Sequence, residues 1–194
     1  MQQLRPAIVL IALFTLLTGV AFPLVFVGIG NVVFPFQAGG SLIRENGQVV
    51  GSTLIGQDFS APRYFHPRPS ATTEPDPKDA SKTVPVPYAA DNSAASNLGP
   101  TSKALIDRVT ADVKAFGTGS VPADAVTTSA SGLDPDISPE NAALQVARVA
   151  KARNLPEATI RDLVAANTKG RIAGFIGEPR VNVLALNRAI DAHG

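Results

Sequence analysis

The sequence predicts a small α+β domain carried on a single N-terminal transmembrane helix. Three observations predict it. An uncharged apolar run fills residues 6–36, an Asn-Gly hairpin signal follows at residues 41–52, and capped, apolar-periodic helices gather in the C-terminal half. Helices segregated from a few antiparallel strands are the α+β pattern. The expected division is an anchor and juxtamembrane segment over residues 1–40 and a soluble extracytoplasmic domain over residues 41–194.

Between Arg5 and Arg44 there is no ionisable side chain. A hydrocarbon core needs about 20 apolar residues in a helix, and a helix satisfies its own backbone groups as lipid demands. A signal sequence would have an apolar stretch of about 7–15 residues and a small-residue cleavage site. Here the run is longer, and Gln37-Ala38-Gly39 is a poor site, so a retained anchor is expected. Arg5 precedes the helix and no Lys or Arg follows it before Arg44. The positive-inside rule then puts the N-terminus in the cytoplasm and the domain in the periplasm. Thr15, Thr18, Gly19 and Pro23 interrupt the apolar pattern. They suit either a close-packed neighbouring helix with a kink at Pro23, or hydroxyls bonded back onto their own helix. With no charge in the span, this helix alone carries no ion path or proton relay.

The arms of the hairpin bear Leu42, Ile43, Val49 and Val50, and Asn46-Gly47 supplies the two positive-φ residues of a type I′ turn. A short edge strand is expected at Thr53–Ile55. From Gln57 to Pro100 the chain holds eight of its sixteen prolines and reads as one long loop. Within it, Phe59–Ser70 interleaves aromatics and arginines, which suits an ordered docking surface or a plain surface loop. Thr72–Asp79 reads as an exposed, mobile tip. A helix capped at Thr101 or Ser102 follows, with Leu105, Val109 and Val113 on one face and Ile106 and Phe116 beside them, stopped by Gly117-Thr118-Gly119.

After a connector over Ser120–Asp136, Ser138-Pro139-Glu140 gives a strong helix start. Its expected buried stripe is Ala143, Val146, Ala147 and Ala150, with Gln145, Arg148 and Lys151 on another face. Asn154-Leu155-Pro156-Glu157 breaks the chain, and the next helix, bearing Ile160, Leu163 and Val164, is expected to end near Gly170. Val181–Val183 reads as a strand, and Leu184–Ala192 as a helix capped by Asn182.

Composition excludes more than it assigns. A formal charge of +1 implies no nucleic-acid partner, and zero cysteines exclude disulfides and thiolate metal sites. No G-x-x-x-x-G-K-[ST] loop occurs, and neither the aspartyl-phosphate sequence Asp-Lys-Thr-Gly nor G-x-S-x-G is present. His66 and His193 are the only histidines. The first reads as a satisfied loop residue and the second as part of a frayed end. Asp134 and Asp136 read as solvated turn residues, lacking the oxygen count of a calcium loop. Arg148, Lys151, Arg153, Arg161, Lys169 and Arg171, mixed with Glu157 and Asp162, read as a solvated face.

Six blocks occur in order: Gly56-Gln57-Asp58-Phe59, Tyr64-Phe65-x-x-Arg68-Pro69-Ser70-Ala71, Ser96–Thr101, Asp134-Pro135-x-Ile137-Ser138-Pro139, Gln145-x-x-Arg148-Val149-Ala150 and Gly177–Leu184. With the single anchor, they make the chain resemble the C subunit of the bacterial potassium-transporting Kdp ATPase over essentially its whole length. It departs from that pattern at His66-Pro67 and at Ser93-Ala94-Ala95. The resemblance implies a non-catalytic accessory subunit in the inner membrane, beside a channel-like potassium-binding subunit, a P-type ATPase subunit and a small single-helix subunit. It implies a catalytic chaperone that raises the ATP affinity of the pump subunit, with ATP at the level of the complex and Gln145 at the position tied to nucleotide. The inside-to-outside helix and the missing phosphate loop favour an indirect ATP role. Two other classes stand beside it: a periplasmic hydrolase using His66 with a loop serine, and a binding or scaffold module with a pocket of several hundred Å³.

Overall fold

A computed structural model of the chain describes residues 3–117 and 119–193. Thr118, in the expected helix stop, lies outside the described residues. The chain forms two compact units, one up to Ser52 and one from Thr53 on.

In the first unit a continuous apolar helix runs from Leu4 to Val33, long and apolar enough to cross a membrane, with none of its residues buried. It is α1 (Leu4–Leu16), a π turn (Leu17–Ala21) and α2 (Phe22–Val33). The π turn has a cause in Pro23, which lacks an N–H and whose ring would crowd the carbonyl four residues back. Widening the preceding turn, with Phe22 N–H donating to the Leu17 carbonyl, absorbs that conflict. Thr18 Oγ1 donates to the Phe14 carbonyl at 2.6 Å, so this hydroxyl is satisfied within its own helix. After the short α3 (Pro35–Ala38), β1 (Leu42–Glu45) and β2 (Gln48–Ser52) form the expected hairpin. Asn46 and Gly47 sit at φ 49° and 81°.

The second unit opens differently from the sequence reading. Thr53-Leu54 is a turn, and Ile55 makes an isolated bridge instead of a strand. The proline-rich loop contains a hairpin, β3 (Thr73–Asp76) and β4 (Asp79–Pro85), where a mobile tip was expected. Pro75 is compatible with a two-stranded ribbon because each of its strands has an unpaired edge, where a residue without an N–H costs no ladder bond. Asp76 accepts from Lys78 N–H at 2.8 Å and closes the turn.

Helix α4 (Lys103–Phe116) buries no residue, while α5 (Ala123–Val126) buries Ala125 and Val126. Then come β5 (Asp136–Ile137), α6 (Pro139–Arg153), α7 (Glu157–Ala166), β6 (Thr168–Lys169), β7 (Arg180–Asn182) and α8 (Val183–Asp191). The three short strands make an antiparallel sheet in the order β5-β7-β6. Ser138 caps α6 by accepting from Asn141 N–H, and Asn182 caps α8 by accepting from Ala185 N–H. Asn154, at φ 55°, ends α6. Helix α7 stops before Gly170 because Thr168-Lys169 turns into the sheet.

The core gathers Phe65, Val146, Val149, Ile160, Val181, Leu186 and Ile190. Its α6 stripe is shifted from the expected one. Ala143 and Ala147 are exposed, whereas Asn141, Ala142, Gln145 and Val149 are buried. An alanine-rich helix carries little phase information, and the polar loop packed against α6 decided the side.

Candidate functional site

Residues 59–72 reach the core with no strand to pair with, so their backbone polar groups need other partners. Two carboxamides supply them. Asn187 on α8 accepts from Phe65 N–H at 2.8 Å and donates to the Phe65 carbonyl at 3.0 Å. Gln145 on α6 does the same for the next residue, accepting from His66 N–H at 2.7 Å and donating to its carbonyl at 3.1 Å. Each amide imitates a strand neighbour, and between them the Phe65 ring is fully buried.

Gln145 is 6% exposed. Its Nε2 also donates to Asn141 Oδ1 at 2.9 Å, and its Oε1 accepts from Arg148 at 2.6 Å. Arg148 donates further to the carbonyls of Pro62 and Tyr64, and Arg153 to that of Arg63. Arg153 also pairs with Asp191 at 2.6 Å and lies 4.9 Å from the centre of the Tyr64 ring. The expected solvated basic face is therefore corrected at these two positions: both arginines tie down the loop. Burial lowers the Arg148 pKa. His66 is lowered too, by burial first and the Arg148 charge second.

Two hydroxyls lace the far end of the loop. Ser70 Oγ donates to the Gly132 carbonyl and accepts from Tyr88 N–H, while Thr72 Oγ1 donates to the Val86 carbonyl and accepts from Ala89 N–H. Gly132, at φ 69°, leaves no room for a side chain, since an added Cβ would lie 2.6 Å from both the Ala94 carbonyl and Thr72 Cγ2. Arg68, in the stretch that suited either an ordered docking surface or a plain surface loop, pairs with Asp134 at 2.9 Å.

Asp134 and Asp136 edge an open groove of about 970 Å³, shared with Arg68, Arg180, Leu144 and Pro179. Asp136 pairs with Arg180 at 3.0 Å, yet burial raises its carboxyl pKa. Asp124 is engaged with Ser138 and Asn141. The groove has the size expected of a binding module. Among the described residues no cluster of acidic or histidine side chains could hold a metal ion.

A smaller cleft of about 320 Å³ brings His66 near Asp58, Ser60 and Ser70. His66 Nε2 lies 3.2 Å from the Ala61 carbonyl, and Ser70 Oγ donates to Gly132. Among the described hydrogen bonds none joins His66 to a serine hydroxyl, so a nucleophile-base pair is not assembled there. Sequence reasoning singled out Gln145 but missed Asn141 and Asn187. The only available signal was a polar residue inside an apolar helical stripe.

A single apolar helix long enough to cross a membrane, joined to a small α+β unit whose most elaborate polar site is directed at its own backbone, defines a class: single-helix proteins with one small mixed domain. The match to known proteins is specific. Residues 4–192 fit the family model KdpC, described as the K+-transporting ATPase c chain. The chain is 62% identical over 196 residues to a potassium-transporting ATPase KdpC subunit of Rhodopseudomonas palustris, covering 99% of this chain and 98% of that protein. It is 63% identical to one of Methylobacterium nodulans and 59% to one of Bradyrhizobium diazoefficiens, with 98% of this chain and 97% of each relative covered. The chain belongs to the KdpC family.

Proposed function

We propose that this protein is a non-catalytic accessory subunit of an ATP-driven potassium import complex in the inner membrane. Residues 1–40 anchor it with the N-terminus in the cytoplasm, and residues 41–194 lie in the periplasm. Its partners are a channel-like potassium-binding subunit, a P-type ATPase subunit and a small single-helix subunit. It assists assembly and raises the pump subunit's affinity for ATP through the complex, holding no nucleotide itself.

The observation that carries this reading is the family match, which spans the membrane helix and the domain alike. The indirect ATP role draws support from Gln145, whose amide is turned inward onto His66, Asn141 and Arg148. With that geometry Gln145 acts as a positioning residue for the loop. Asn187 should then behave like it.

The test is the KM for ATP of the complex purified by a tag on the pump subunit, with wild-type chain, Gln145→Ala or Asn187→Ala. Both variants are expected to raise KM to a similar extent without changing kcat. Photolabelling of this chain by an ATP analogue, lost in Gln145→Ala but kept in Asn187→Ala, would show direct contact instead. Topology is tested by labelling a single cysteine in intact cells. Ser129 is buried and unsuited to labelling, whereas Ala80 on the β3–β4 hairpin is exposed. The chain has no cysteine of its own, so Ala80→Cys should be labelled from outside by an impermeant maleimide.

A further inference from the structure

The segment joining β6 to β7 projects away from the core. Every residue from Arg171 to Pro179 is exposed, including Ile172 at 61%, Phe175 at 74% and Ile176 at 52%. Among the described residues outside the membrane helix, Phe175 is the most exposed large apolar side chain. Contiguous exposed apolar groups of this kind mark interaction sites.

The tip is ordered. Ile172 and Ile176 exchange backbone hydrogen bonds at 2.9 and 3.0 Å, and Phe175 N–H donates to the Ile172 carbonyl at 3.3 Å. Ala173 and Gly174 hold φ 53° and 83°, the two left-handed positions of a type I′ turn. An L-alanine avoids that region unless the turn imposes it. The aromatic side chain is thus presented on a preformed support, which lowers the ordering cost of binding.

At its base the tip joins the groove described above. Arg171 pairs with Glu178 at 2.6 Å, and Glu178, Pro179 and Arg180 line the groove wall. Of the groove's carboxylates, Asp134, Asp136 and Glu178 are paired with Arg68, Arg180 and Arg171, while Asp124 and Glu140 have no cationic partner among the described ion pairs, and Glu140 is exposed on the rim. An apolar anchor beside a negatively charged rim fits a polypeptide bearing an apolar pocket and cationic side chains. It fits an anionic lipid surface poorly.

We propose that the Ile172–Ile176 tip and the adjoining groove form one docking surface for an extramembrane segment of a neighbouring subunit. Phe175 enters an apolar pocket of that segment, and its Lys or Arg side chains lie along the groove. The inference rests on the subunit reading above.

Two experiments on the full complex test it. With p-benzoylphenylalanine in place of Phe175, irradiation should give an adduct with a second polypeptide of the complex, identified by mass. Adducts with lipid alone, or none, would overturn the proposal. In the second, Phe175→Asp should weaken retention of this chain on the tagged complex on the order of 30-fold. Glu140→Lys should weaken it about 3- to 10-fold, less at high salt. Loss of retention already in the wild-type chain would sink the subunit reading itself. Wild-type retention with equal retention of both variants would sink only the docking surface.

Discussion

Residues 59–72 and residues 171–179 are both irregular stretches that carry phenylalanine and arginine, yet they end in opposite environments. The first buries Phe65 completely and the second leaves Phe175 in solvent. The difference lies in how each backbone is satisfied. The 171–179 tip closes its own hydrogen bonds and needs no neighbour, so it can stand free. The 59–72 loop has its N–H and C=O groups met by side chains from α6 and α8, and can therefore enter the core. An aromatic residue goes inside only where its flanking peptide groups can follow it.

That contrast can be broken, beginning with the largest effect. Phe65→Ala should lower unfolding stability by about 3–5 kcal/mol, because a fully buried ring leaves a cavity. Chemical denaturation of the chain in detergent measures it, and a loss below about 1 kcal/mol would refute Phe65 as a core residue. Asn187→Ala should cost about 2–4 kcal/mol, since two buried backbone groups lose their partner at once. Amide exchange at Phe65 should accelerate in this variant and stay unchanged at Ile176.

The pH dependence is smaller, and its sign is fixed. The folded His66 has a pKa below its unfolded value, so the unfolded chain binds more protons in that window. Stability should therefore fall as pH drops through the ordinary histidine range of about 6.5. His66→Gln should flatten the slope there, and an unchanged melting profile between the two proteins would remove this account. Least of all, Phe175→Ala should change unfolding stability by less than about 0.5 kcal/mol, because the side chain touches no core. A substantial loss would mean that the tip packs onto its own domain.

Much of the architecture was legible. The apolar helix, the Asn46-Gly47 hairpin, the Ser138 cap, the Asn182 cap and the α+β class all rest on local signals, and each is present. The errors share a cause. Helix α4 has the cleaner apolar periodicity in Leu105, Val109 and Val113 but buries nothing, while the alanine-rich α6 buries six residues. Periodicity says which face is apolar; it does not say that a neighbour is there to cover it. Thr72–Asp79 reads as a mobile tip because no turn signal of the Asn-Gly kind in this stretch marks its pairing with the residues up to Pro85. Gln145 was visible as a polar residue of interest, but its inward direction depends on a loop 79 residues earlier in the chain.

Sequence alone determined what depends on neighbours a few residues apart. That covers the uncharged span, the turn that needs two positive φ values, the helix caps, and the absence of any cysteine chemistry. Tertiary structure alone decided what depends on distant partners. It set which face of α6 is interior, brought Asn187 to Phe65 across 122 residues, and joined the Arg171–Glu178 base of the tip to the groove. Capping and turn energies act over a few ångströms of contiguous chain. Satisfying a buried backbone group, by contrast, requires whichever side chain the fold happens to deliver.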